Sequence, residues 1–250
     1  MAYLPAAKSA SQFTQDDLKY FRIEFNDQTR DEFFDGMGGF DDPDKSPFIG
    51  FCSQQSRSTA ITAGEDDNTV ELLGHLESAM DDGLESSSID HFMVTLLGYL
   101  GYNINRGAVS GQAMMPLEIC GQWRSAQVDI HVRDVNRDRI KYLQVNKTGG
   151  SNVDLEPQLM AAAVAAFAVN NNDSNLELDF PCLIMCGTYP TFYRITVSRA
   201  LKNAVATGEE PAQPTVVRRF NPIPLDDRMM IHLPYRREVV RCLSACKRFL

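Results

Sequence analysis

Apolar residues recur every three or four positions at Ile89, Phe92, Met93, Leu96, Leu97 and Leu100, with Ser88 placed to cap the run and Gly101 to end it. That spacing predicts a helix with one face turned to a core. Three strand candidates follow at Met115 to Cys120, Gln127 to Arg133 and Ile140 to Lys147, the last two joined by a hairpin loop over 134–138. Leu155 to Val169 is rich in alanine and apolar on nearly every side, which predicts a helix packed on a sheet and partly enclosed. Phe180 to Cys186 reads as a short, wholly apolar strand, and Tyr193 to Val197 as another after a Thr-Tyr-Pro-Thr turn. Helices over Ser198 to Ala206 and Arg237 to Phe249 complete the chain. The order α-β-β-β-α-β-β-α predicts an α/β fold, a mixed sheet with helices on its faces.

The first 85 residues are patterned differently. Thr14-Gln-Asp-Asp17 has the form of a capping box for a short helix carrying Leu18, Phe21 and Ile23. Gly36, Gly38, Gly39, Pro43 and Pro47 among Asp35, Asp41, Asp42 and Asp44 make an acidic loop of residues 35–50, without the ligand ladder of a calcium loop. Residues 52–68 read as a flexible linker, so 35–68 is expected to be poorly ordered, and Val70 to Met80 returns to helical spacing. The expected division is an acidic N-terminal accessory region, 1–85, and a core domain, 86–250, with a C-terminal helical extension.

Composition changes the picture only by exclusion. At 250 residues, 44% hydrophobic and 23% charged, the chain is neither disordered throughout nor fibrous. Its longest apolar run, Met160 to Val169, falls short of the about 20 residues a membrane span needs. The opening residues do not resemble a secretory signal, so an intracellular protein, cytoplasmic or nuclear, is expected, with its six cysteines as free thiols.

Charge adds an asymmetry. Residues 1–100 carry 19 acids against 6 Lys and Arg, whereas 101–250 carry 14 against 18. Arg218, Arg219, Arg228, Arg236, Arg237, Arg241, Lys247 and Arg248 cluster near the C-terminus, either as a solvated face or as a surface that meets phosphates.

The stretches Leu97-Gly-Tyr-Leu-Gly-Tyr102, Ile119-Cys-Gly121, Ala126-Gln-Val-Asp129, Gln144-Val-Asn-Lys147, Asp154-Leu-Glu-Pro-Gln-Leu159, Ala165-Ala-Phe167 with Asn170-Asn171, and Phe180 through Thr188 carry a resemblance. Over residues 85–197 the chain resembles the core of the PD-(D/E)XK nuclease superfamily and is similar to a group of fungal, chiefly basidiomycete, proteins. In that group the third strand typically ends Gln-Glu-Asp-Lys. The resemblance implies a restriction-endonuclease-like αβββαβ core.

It also implies a chemistry. Phosphodiester hydrolysis uses a hard cation held by oxygen ligands, with a lysine near the attacking water. By resemblance Asp129 is the strand carboxylate, Lys147 the lysine, Glu85 the helical carboxylate and Gln158 the glutamine at the start of the following helix. Asp129 and Glu85 would then hold Mg²⁺. Residues two apart on a strand share a face, so the motif's second carboxylate belongs at position 145, which is valine. Asn146 stands where the fungal group has aspartate and is expected to face the other way. Glu118, His131 and Glu156 are the substitutes the sequence offers, and Val145→Glu is expected to restore a ligand.

The expected function is accordingly a nuclease-like protein with a degenerate metal site and weak Mg²⁺ binding. It would bind nucleic acid or a protein partner through the retained cleft, with Arg218, Arg219, Arg236, Arg237 and Arg241 as the phosphate-binding set. The alternatives are an active Mg²⁺-dependent nuclease using relocated carboxylates, and a fungal defence or fruiting-body protein. The pairs Cys182/Cys186 and Cys242/Cys246 read as packing residues, with zinc and disulfide as the other readings. His75, His91, His131 and His232 form no metalloprotease motif, and Gly107 to Gly111 is no phosphate loop.

Overall fold

The computed structural model describes residues 3–36, 49–80, 87–103, 107–147, 153–170, 177–222 and 230–250. Seven strands form one mixed sheet: β1 (Ile23–Asp27), β2 (Gly107–Ile119), β3 (Gln122–Asp134), β4 (Arg139–Lys147), β5 (Glu177–Cys186), β6 (Tyr189–Ser198) and β7 (Thr215–Phe220). Their spatial order is β1-β7-β6-β5-β4-β3-β2. The pairs β1/β7 and β4/β5 run parallel and the others antiparallel. The helices are α1 (Gln15–Tyr20), α2 (Arg30–Phe33), α3 (Ile49–Ser53), α4 (Arg57–Ala63), α5 (Asp67–Ala79), α6 (Ser87–Tyr99), α7 (Glu156–Asn170), α8 (Arg199–Thr207) and α9 (Leu233–Cys246).

Helices cover both sheet faces, which explains the unbroken apolar run of β5. Alternation along the central strands sorts residues between two cores. Leu143, Val145, Cys182 and Ile184 join α7 and α8 on one side. Tyr142, Leu183 and Met185 join α5, α6 and α9 on the other. The alanine-rich α7 is enclosed because a further layer, Ala10, Phe13, Leu18 and Phe21, closes over it. The capping box forms as expected, Thr14 N–H donating to Asp17 Oδ2 at 2.8 Å. Gly101 ends α6 with φ +80°, a conformation glycine adopts without strain.

Three expectations for the chain before 86 are corrected. Ile23 belongs to β1, and that strand places the acidic region inside the same sheet. The 52–68 linker is instead helical over much of its length: α3 and α4 bury Phe51, Cys52 and Ala60, and Ser56 and Asp66 accept from Thr59 and Thr69 N–H as helix caps. Polar caps made that stretch look like loop, since Ser, Thr and Asp favour helix starts as well as turns. Most of the acidic loop, residues 37–48, lies outside the described residues. Short β7 was missed because its Arg218 and Arg219 read as part of a charge cluster. Among the described residues no helix is long and apolar enough to cross a membrane.

Candidate functional site

Strands β3 and β4 pair from Asp134 and Arg139 as far as Ile130 and Gln144, then fork. Strand β4 continues beside β5 to the pair Lys147/Cys186. At the fork the main-chain N–H of Asn146 donates to Asp129 Oδ2 at 2.7 Å. A carboxylate thus replaces the carbonyl that would otherwise continue the ladder, and charge-assisted hydrogen bonds of this kind are the stronger sort. Asp90, in the first turn of α6 where the helix dipole favours an acid, approaches from the adjacent layer. Its Oδ1 accepts the Asn146 side-chain amide at 2.7 Å. One residue, Asn146, therefore bridges two acids from two elements.

A buried polar line runs to this point along one face of β4. Tyr142 Oη donates to Gln144 Oε1 at 2.8 Å, and Gln144 Nε2 donates to Asn146 Oδ1 at 2.7 Å. Both acids are half-buried and titrate above the ordinary carboxylate range. Burial is the main cause for Asp129, opposed by the Asn146 N–H and reinforced by the charge of Asp90. For Asp90 burial again leads, opposed by the Asn146 amide and by His91.

The expected site residues are only partly brought together. Asp129 is at the fork on β3, and Lys147 ends the neighbouring β4, where its ammonium donates to the Val153 carbonyl at 2.7 Å. Gln158 reaches β3 at the Gln127 carbonyl, 3.3 Å away. Glu85 lies outside the described residues; the helical acid at the fork is Asp90, which the sequence reading missed although its place in the first turn of a capped helix was visible. Val145 is 0% exposed beneath α7. The expectation that glutamate at 145 restores a ligand is thereby corrected, because the position is solid core. Asn146, expected to face away, makes both contacts with the acids.

The substitute ligands are engaged elsewhere. Glu118 faces Lys202 at 3.5 Å, and Glu156 accepts from Tyr193 Oη at 2.9 Å and from Arg219 at 2.7 Å. His131 is partly buried, and burial lowers its pKa; its Nδ1 has no hydrogen-bond partner among the described residues. Cys182 belongs to one core and Cys242 and Cys246 to the other, which places the sheet between Cys182 and the α9 pair.

The five arginines do not form one phosphate-binding face. Arg236 is 0% exposed and donates to the carbonyls of Met230, Phe51, Gln54 and Ile231. Burial pulls its pKa down to about 10, which leaves it charged at neutral pH. Arg218 pairs with Asp35 at 2.8 Å, and Arg219 grips Asp27 through two nitrogens at 2.6 and 2.9 Å. Arg241 faces Glu238 at 3.8 Å, and Arg237 is half-buried on α9. These side chains scatter because those of β7 pair with Asp35 and Asp27 of the N-terminal region, whereas on α9 Arg236 is buried against backbone carbonyls and Arg241 faces Glu238 of the same helix.

Mg²⁺, which the resemblance implies, demands an octahedron of oxygens. Asp90 and Asp129 offer two carboxylates, but the side chain between them presents an N–H₂ donor. Among the described residues no group of three His, Cys, Asp or Glu side chains is gathered for a metal. The described residues do not by themselves supply the ion's ligands. The chain matches no protein-family model and no curated protein.

Proposed function

We propose that the protein is a catalytically degenerate member of the PD-(D/E)XK-like fold that takes a protein partner at the cleft beside the C-terminal end of β4. The order α6–β2–β3–β4–α7–β5 supports the αβββαβ core. The observation that carries the loss of catalysis is that β4 offers no acid at the fork: Val145 is enclosed in the core, and the side chain that meets Asp90 is the neutral amide of Asn146. A protein partner is favoured over nucleic acid on electrostatic grounds. Without a cation, Asp90 and Asp129 repel phosphate, and the arginines meant to offset them are held by Asp27, Asp35 and backbone carbonyls. A cationic side chain of a protein suits such a cleft. Six free cysteines support an intracellular site of action.

The test is incubation of the purified chain with plasmid, single-stranded DNA and RNA in Mg²⁺ and in Mn²⁺, alongside Lys147→Ala and Asp129→Ala. No cleavage above background is expected. Metal-dependent cleavage that both substitutions abolish overturns the degenerate reading in favour of an active nuclease. Nucleic-acid binding whose affinity falls with salt at a log-log slope of about −0.9 per phosphate contact overturns the protein-partner reading.

A further inference from the structure

We infer that Asn146 is the residue that excludes a divalent cation from the cleft, its carboxamide being held donor-outward by the buried line from Tyr142. The inference rests on the degenerate-site reading and names the position responsible.

The direction of the line follows from its two ends. Ionised Asp90 can only accept a hydrogen bond, so the atom of Asn146 facing it is the amide nitrogen. Oδ1 of Asn146 then faces Gln144, which must present its own nitrogen, and Gln144 Oε1 is left for the Tyr142 hydroxyl. The observed geometry is this arrangement throughout, at 2.7, 2.7 and 2.8 Å. Gln144 is 0% and Asn146 9% exposed, so water does not compete for these groups. Rotating the Asn146 amide would set oxygen against carboxylate and nitrogen against nitrogen, leaving buried polar groups unpaired.

The same residue satisfies the second acid through its main-chain N–H. Two donors from one residue thus partly offset two acids, the role a cation plays between carboxylates, and the amide protons occupy the approach to Asp90. Position 145 offers no remedy, because its side chain points into the α7 core. Position 146 does. Asn146→Asp is nearly isosteric, keeps the acceptor toward Gln144 and turns the donor facing Asp90 into a third carboxylate oxygen. Three acids in a half-buried cleft leave a divalent cation as the favourable counter-charge.

The experiment uses Mn²⁺ alone as the probe, with calorimetric titration and thermal melting of the full chain. The unmodified chain is expected to show no saturable Mn²⁺ binding. Asn146→Asp is expected to melt lower without metal, to regain stability with Mn²⁺ and lose it with EDTA, and to lose the Mn²⁺ response when Asp90→Asn is added. Should Asn146→Asp not fold, Asn146→Ala carries the test: removing the amide should make Mn²⁺ binding saturable where the unmodified chain shows none. Saturable Mn²⁺ binding by the unmodified chain that Asp129→Asn abolishes overturns the inference, as does folded Asn146→Asp that ignores Mn²⁺. The two readings fail separately. Mn²⁺ bound without cleavage removes the inference and leaves the degenerate reading standing. Cleavage that survives Asp90→Asn with no Mn²⁺ in the cleft does the reverse.

Discussion

Asp129 accepts the main-chain N–H of Asn146 at 2.7 Å across the fork where β4 leaves β3. The acid that the resemblance assigns to a metal is therefore already employed in the sheet, closing a ladder that has lost its backbone partner. Strand separation of this kind leaves N–H groups to be satisfied, and a carboxylate does so without lengthening the strand. The consequence is that Asp129 serves the fold whether or not it serves a ligand.

Replacing Asp90 or Asp129 by asparagine is expected to preserve the contact with Asn146, since a side-chain carbonyl still accepts. Both acids titrate above the ordinary range, so in the folded chain they hold protons that the unfolded chain has released, and stability falls as pH rises through that window. Asp90→Asn and Asp129→Asn should each stabilise the protein at pH 7 by no more than about 1 kcal/mol, because half-exposed groups are screened. The gain should shrink as pH falls and vanish below about pH 3, where both states are protonated. Denaturant midpoints at the two pH values check the sign.

Asp17 behaves in the opposite sense. It is 0% exposed and accepts from Lys8 at 2.6 Å, from Tyr3, and from Thr14 N–H and Oγ1 at 2.8 Å each. Burial pushes its pKa up, but these donors outweigh burial and hold it below the ordinary value. Its contribution is therefore present above about pH 4 and lost as pH falls through the depressed pKa. Asp17→Asn should cost about 3 kcal/mol at neutral pH and flatten the acid limb of the stability profile. Acid titrations followed by circular dichroism measure both.

Val145→Glu is expected to destabilise and not to repair. The side chain would place an unpaired carboxylate beneath α7, at a cost of about 4 kcal/mol, with a glutamate pKa raised by burial. Urea unfolding checks it; a folded, stable variant that cleaves DNA in Mg²⁺ would show that α7 yields to let the acid reach the fork.

Arg236→Ala should cost about 4 kcal/mol, since it opens a cavity and strands the carbonyls of Phe51, Gln54 and Met230. Arg236→Lys should recover little of this, because one ammonium cannot replace a planar fork spanning several carbonyls. Melting temperatures of both variants test the ranking. Neither is expected to alter nucleic-acid affinity beyond what loss of folding explains.

Elements whose period of apolar residues is strong were legible from the sequence alone. The helix over 89–100, the three strands to Lys147 and the enclosed helix from 155 all formed, because burial of those faces is what orders the chain. So was the Asp17 capping box, a local arrangement complete within four residues. Pairings between distant segments were not legible. Strand β1 finds β7 across nearly 200 residues, and Arg236 finds carbonyls of α3 and the residue after it, relations that no window of sequence contains. The site shows the same division. Sequence placed Asp129 and flagged Val145, but alternation along β4 could not say that β3 and β4 separate after Gln144. Only the tertiary structure decided that, because beyond Gln144 the β4 strand follows β5 instead of β3, and a side chain of β3 takes the freed N–H. It turned Asn146, an apparent bystander, into the residue both acids share.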